Sequence, residues 1–123
     1  MRLFYFIEKQ RKPENEMKLL SRQEEIVLLS IWRLGEEAYG VTIREFISKI
    51  TGKYWSIGSI YVPLDRLIEK GYIDYYFKNI TNHKGGRRKR YYKVSSPGMD
   101  ALQEAQELQR SLWQGFPDLA VKK

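Results

Sequence analysis

Lys84, Arg87, Arg88, Lys89, Arg90 and Lys93 crowd into the stretch NHKGGRRKRYYKV, Asn82 to Val94, which contains no carboxylate. Side chains of one sign break no bonds by themselves; the chemistry open to them is the binding of anions. Each phosphate they neutralise on a nucleic acid releases condensed counterions, so such a run attracts a polyanion of any sequence and its grip weakens with salt. Gly85 and Gly86 also let the backbone approach a phosphate closely. A plainer reading stands beside this one, because arginines on a hairpin also serve to solvate it and blunt a sheet edge. Salt-bridge decoration would interleave acids, and their absence tips the reading toward an anionic partner.

Little else in the chain could do covalent chemistry. There is no cysteine and a single histidine, His83, which removes thiol nucleophiles and thiolate metal sites and leaves no Ser-His-Asp or metal-ligand cluster. His83 falls inside the basic stretch and reads as a solvent or phosphate contact. No catalytic residue, metal or cofactor is expected, and the chain reads as non-enzymatic. A formal charge of +7 and a pI near 9.6 favour nucleic acid over an anionic membrane surface. The longest apolar run, Ile26 to Ile31, includes Ser30 and is far too short to span a membrane. The short apolar patch Leu3 to Ile7 lacks the features of a secretion signal, so a cytoplasmic product with no membrane partner is expected.

The elements that must hold the basic stretch can be read from caps and periodicity. SRQEEIVLLSIWRLG opens with a Ser-x-x-Glu capping box, Ser21 to Glu24, and stops at Gly35. Apolar residues cover most of that first helix, which must therefore be packed on several sides. YGVTIREFISKITG gives a second helix with Val41, Ile43, Phe46, Ile47 and Ile50 at helical spacing and Gly52 just past its end. SIGSIYVPLDRLIEKGY gives a third, capped by Ser56, with Ile57, Ile60, Leu64, Leu67 and Ile68 on one face. Pro63 falls in its second turn and predicts a bend or a 3₁₀ first turn. YIDYYFKNI and RKRYYKVS read as two strands around a Gly85-Gly86 turn, with Tyr75, Tyr76 and Phe77 as core or cross-strand pairs rather than stacking platforms for RNA. SSPGMDALQEAQELQRSLWQGF restarts the helical period, with Pro97 near its first position.

This order is an α+β, mainly α chain: a winged helix-turn-helix of three helices and a β-hairpin wing, followed by a C-terminal helix. The expected organisation is an N-terminal extension or arm over residues 1–16, the winged DNA-binding domain over 17–96, a dimerisation helix over 97–116 and a tail over 117–123. In such a fold the second helix of the motif enters the major groove while the wing reaches the flanking backbone. Ser56, Ser59, Tyr61 and Arg66 on the third helix are then the candidate readers of double-stranded DNA. Lys84, Arg87, Arg88, Lys89 and Arg90 on the wing are the candidate phosphate contacts. Tyr61, at the edge of the helical wheel, divides evenly between DNA contact and packing.

From Leu19 to about Phe116 the chain resembles the PadR-like transcriptional regulators. The likeness rests on AYGVTI, on SIYVPLDRLIEKGYI and on GGRRKRYYKVSSPGMDAL, above all on Tyr61, Leu64 and Leu67 followed by Glu69-Lys70-Gly71, and on the basic run ending in Tyr91 and Tyr92. Members commonly carry threonine before the last helix where this chain has Ser95, and the single short last helix resembles the family's short branch. The resemblance implies a homodimer on a pseudo-palindromic operator, usually a repressor, sometimes released by a small phenolic or hydrophobic effector. A winged-helix module that binds protein without DNA is the alternative, although such modules usually lose the basic wing.

The last helix carries more apolar surface than one small domain can cover. Ala101, Leu102, Ala105, Leu108, Leu112, Trp113 and Phe116 are the candidate dimer interface. The flat faces of Trp32 and Trp113 are candidates for an effector pocket, with plain dimer core as the other reading of Trp113.

Overall fold

The computed structural model describes residues 19–79 and 88–118. The first helix, α1, runs over Arg22–Leu34. Ser21 Oγ accepts the Glu24 N–H at 3.1 Å while Glu24 Oε1 accepts the Ser21 N–H at 2.9 Å, so the box read from the sequence satisfies two helix-start donors reciprocally. A 3₁₀ turn, Gly35–Glu37, leads into α2, Gly40–Thr51, which ends at Gly52. The third helix, α3, spans Ile57–Glu69 from the N-cap Ser56. Strands β1, Ile73–Asn79, and β2, Arg88–Val94, pair antiparallel in a register that runs from Ile73↔Val94 to Asn79↔Arg88. The last helix, α4, spans Ser96–Trp113. Among the described residues, four helices and a pair of antiparallel strands in this order make the winged helix-turn-helix expected of the sequence.

Val27, Leu28 and Ile31 of α1, Ile43 and Ile47 of α2, and Ile60, Leu64 and Leu67 of α3 bury one another in a single core, closed by Tyr92 from the wing and Leu102 from α4. The wing is fixed to this core by a contact that periodicity does not announce. Tyr92 N–H donates to the Ala38 carbonyl at 2.9 Å, and Tyr39 bridges to Tyr91, so β2 is flanked on both edges. Successive strand residues point to opposite faces, and because both faces here are covered, adjacent Tyr91 and Tyr92 are both buried.

Ser95 locks α4 in place. Its N–H donates to the Tyr72 carbonyl at 3.0 Å, its hydroxyl donates to the Gly71 carbonyl at 2.7 Å, and the same oxygen accepts the Gly98 N–H at 3.1 Å. A serine thus supplies both the cap and the tie to the end of α3.

Several expectations are corrected. Of the bend or 3₁₀ first turn expected around Pro63, the 3₁₀ turn is absent: α3 is α-helical from Ile57 through Pro63. The proline ring is buried, and the carbonyl it leaves without a partner belongs to exposed Ser59, where water can reach it. Ile57 is exposed because it sits in the first turn, ahead of the point where α3 meets the core; Val41 and Ile50 of α2 are exposed as well. Tyr75 and Phe77, expected as core and cross-strand pairs, do pair across the strands, with Tyr92 and Arg90, but they are not core: they are 46% and 49% exposed on the wing. The Gly85-Gly86 turn, His83, Lys84 and Arg87 lie outside the described residues, as do residues 1–18.

Candidate nucleic-acid interface

Ser56 and Ser59 stand at the exposed N-terminal end of α3, and their hydroxyls are 2.9 Å apart. Ser56 Oγ also accepts the Ser59 N–H at 3.1 Å. The pair caps the helix and keeps a hydroxyl toward solvent, which suits a phosphate or base edge. Arg66 is exposed one face-repeat further along α3, and its charge helps hold the Glu24 carboxyl low.

Tyr61, which the sequence left between DNA contact and packing, packs on α2 and keeps part of its ring exposed. Its ring packs across the start of α2, where a Cβ on Gly40 would run into the phenol oxygen and lie 3.0 Å from Tyr61 Cζ. Only a glycine admits so close an approach. The same ring remains partly exposed and lines a groove of about 690 Å³ together with Tyr39, Gly40, Val41, Phe77, Arg88, Lys89, Arg90 and Tyr92. The groove therefore runs between α2, α3 and the wing, with Arg88, Lys89 and Arg90 of the basic run among its lining residues.

Those cations are seated on rings. The Arg88 guanidinium lies 4.1 Å from the centre of the Phe77 ring, and Lys89 Nζ lies 4.6 Å from that of Tyr39. Arg90 has two rings, Tyr75 at 4.7 Å and Tyr92 at 5.4 Å, and its Nε–H donates to Tyr92 Oη at 3.0 Å. On the face that carries Lys89, its cross-strand partner Lys78 places Nζ 4.3 Å from the centre of the Tyr91 ring, which stacks on Tyr76 and tilts against Tyr39. Burial pushes the Tyr92 phenol above its ordinary range, against the pull of Arg90. Burial alone would lower Arg90, but the hydrogen bond to Tyr92 and the surrounding charges outweigh it and the guanidinium is raised. Asp65 on α3 also bears electrostatically on Arg90. Lys78, Tyr39 and the seating rings were missed by a reading that looked only for runs of charge. The signal was present as cations and aromatics recurring at strand spacing in YFK and RKRYYK.

The profile of the transcriptional regulator PadR-like family matches residues 28–104. The chain belongs to that family. It is a DNA-binding transcriptional regulator and not an enzyme. No curated protein matches the chain. Among solved structures, a PadR family transcription regulator from hypervirulent Clostridium difficile superposes with a TM-score of 0.58 at 26% identity, over 72% of this chain and 88% of that one. A PadR family regulator from Eggerthella lenta gives 0.61 at 21% identity, over 83% and 87% of the two chains. RosR of H. salinarum gives 0.59 at 22%, over 82% and 84%. These last two speak for the shared fold. Among the described residues of this PadR-like chain, no helix is long and apolar enough to cross a membrane.

The residues read as a dimer interface divide in the PadR-like fold. Leu102 is 9% exposed and belongs to the core of its own chain, so it has little surface left to offer a neighbour. Ala101, Ala105, Leu108 and Leu112 line a groove of about 840 Å³ with Leu19 and Leu20. Trp113 packs edge-on against Phe116 at 4.9 Å, and both are exposed. Trp32 lines a separate recess of about 390 Å³ with Leu29, Met99 and Leu102. Met99 and Trp113 are about 20 Å apart along α4 at 1.5 Å per residue, so one chain does not bring the two indoles together. A pocket shared by Trp32 and Trp113 requires a second copy.

Proposed function

We propose that this PadR-like protein is a repressor that binds a pseudo-palindromic operator as a homodimer, reading bases with α3 and gripping phosphates with its wing. The observation that carries the reading is the groove between α2, α3 and β2, into which Tyr61, Arg88, Lys89 and Arg90 converge. Ser56, Ser59 and Arg66 supply polar groups on the exposed side of α3, and an arginine there can pair with guanine. Lys84 and Arg87 extend the cationic run beyond the described strand. The apolar surface of α4 is the side for a second copy, which would set two recognition helices about 34 Å apart on one DNA face. Release by a small hydrophobic or phenolic effector fits the recess beside Trp32, whose walls are Leu29, Met99 and Leu102 with glutamines at its rim.

The test is duplex binding measured across a salt series. Replacing Arg87, Arg88 and Arg90 together with alanine should weaken operator and random sequence alike and reduce the salt slope by about 0.9 for each phosphate left without its cation. Arg66→Ala should instead narrow the gap between operator and random sequence by about 1 to 3 kcal/mol. A triple variant that binds as tightly as the parent, with the same slope, removes the wing from the interface.

A further inference from the structure

The described wing cations are not held alike. Arg88 and Lys89 each rest on one ring, whereas Arg90 lies against two rings and spends its Nε–H on a phenol oxygen. We propose that Tyr75 and Tyr92 are positioning residues for DNA binding, which hold the Arg90 guanidinium in its phosphate-gripping orientation before DNA arrives. The proposal rests on the reading of the wing as a phosphate contact and adds to it how that contact is made ready.

A guanidinium is a planar fork. With Nε committed to Tyr92 Oη and the guanidinium carbon 4.7 Å from the Tyr75 ring centre and 5.4 Å from that of Tyr92, the donors on its two Nη atoms remain for an anion. Tyr92 can act as the anchor because it is buried and belongs to the core cluster that also holds Leu64 and Leu67. Burial keeps its phenol protonated across the ordinary pH range, so its neutral oxygen accepts from Arg90 without cancelling the cation. Asp65 is the acid that bears on Arg90 from α3, and Tyr61 faces Tyr92 from the same helix. Neither forms an ion pair with Arg90 among the described residues, so the fork is oriented by rings and one hydrogen bond rather than neutralised by a carboxylate.

Ordering a long side chain at the moment of binding costs a factor of about two to ten in affinity. Arg90 has met that cost on folding. A lysine would carry the same charge, but its single ammonium has no planar fork, so a donor given to Tyr92 and donors held out to an anion cannot be kept in one fixed geometry. Charge and orientation can therefore be separated experimentally.

Duplex affinity and its salt slope would be measured for Arg90→Ala, Arg90→Lys, Tyr92→Phe and Tyr75→Leu, with melting temperatures alongside. Arg90→Ala should lower both affinity and slope. Arg90→Lys, Tyr92→Phe and Tyr75→Leu should each weaken binding by about two- to tenfold with the slope unchanged, because the charge is kept and only its order is removed. In an Arg90→Ala background, Tyr92→Phe and Tyr75→Leu should have no further effect. Tyr75 is half-exposed, so its variant reports even where Tyr92→Phe disturbs the core. Unchanged affinity and slope in Arg90→Ala would overturn the wing contact at this residue, and the proposal with it. Weaker binding by Arg90→Ala combined with parental binding by Tyr75→Leu and Arg90→Lys would overturn the positioning role and leave the wing contact standing. Ring variants that weaken binding equally with and without Arg90 would also overturn it.

Discussion

Glu24 is a carboxylate at a place where burial works against charge. Burial alone would raise its pKa, yet a hydrogen bond from Lys70, the Ser21 N–H and the charges of Lys70 and Arg66 outweigh it and hold the carboxyl below its ordinary value. The Lys70 Nζ to Glu24 Oε1 distance is 2.8 Å, and Glu24 is almost fully buried. Since its folded pKa is depressed, the stability this group contributes is complete above the unfolded carboxylate value and is lost as pH falls through the folded one. Glu24→Gln should therefore lower stability by about 1.5 to 3 kcal/mol at neutral pH. Thermal melts from pH 7 down through the carboxylate range should show the gap between parent and variant closing. A gap independent of pH would mean the charge is not what stabilises. The capping half of this arrangement was legible, because Ser21 and Glu24 are three residues apart; the Lys70 half was not, because only the folded chain brings Lys70 to the start of α1. The same limit hid Gly40, whose need for a missing Cβ arises from Tyr61 on another helix.

Element boundaries were the most legible part of the molecule, since most are written in local chemistry: Ser21 and Ser56 open helices, and Gly35 and Gly52 close them; the cap Ser95, one residue ahead of the helix that Pro97 announced, was not read from the sequence. Faces were less legible. Alternation and pairing in YIDYYFKN read its aromatics as core and cross-strand pairs; the pairing is there, but Tyr75 and Phe77 lie on the exposed face of the wing and pack on arginines rather than in the core. The angle at which α4 leaves the domain was not legible at all. Gly98 sets it: a Cβ there would run into the Tyr72 carbonyl oxygen and come within 2.9 Å of Val94 Cγ1. One obstacle is backbone and cannot turn aside, so Gly98→Ala should destabilise the chain by about 1 to 3 kcal/mol, as overpacking does elsewhere. Urea unfolding would read this as a lower midpoint at unchanged m-value. Ser95 should then be seen to lose its hold on Gly71, since the helix can relieve the clash only by lifting from the end of α3.

On the scale of the whole molecule, the winged domain is complete as a fold but not as a surface. Leu112 is 72% exposed and Trp113 59%, and Leu108 and Phe116 lie open near them, whereas Leu102 at the other end of α4 is already spent in the core. Apolar patches of this kind on a monomer usually mark a contact surface. The small side chains of Ala101 and Ala105 line the same groove as Leu108 and Leu112, so a helix of similar length could approach closely there. A second α4 supplies the same surface in return, and a two-fold arrangement closes on itself without leaving a free patch to propagate. Leu108→Asp/Leu112→Asp places charges on the exposed stretch of α4 and leaves Leu102 untouched, so the winged domain should keep its fold. Sedimentation at micromolar concentration should find a dimer for the parent and a monomer for the variant, with circular dichroism of the variant unchanged. The monomer should still bind duplex through its wing, but it should lose the advantage of a two-half-site operator over a single half-site. A parent that sediments as a monomer, or a variant that stays dimeric, would falsify the assembly through α4 and with it the palindromic operator.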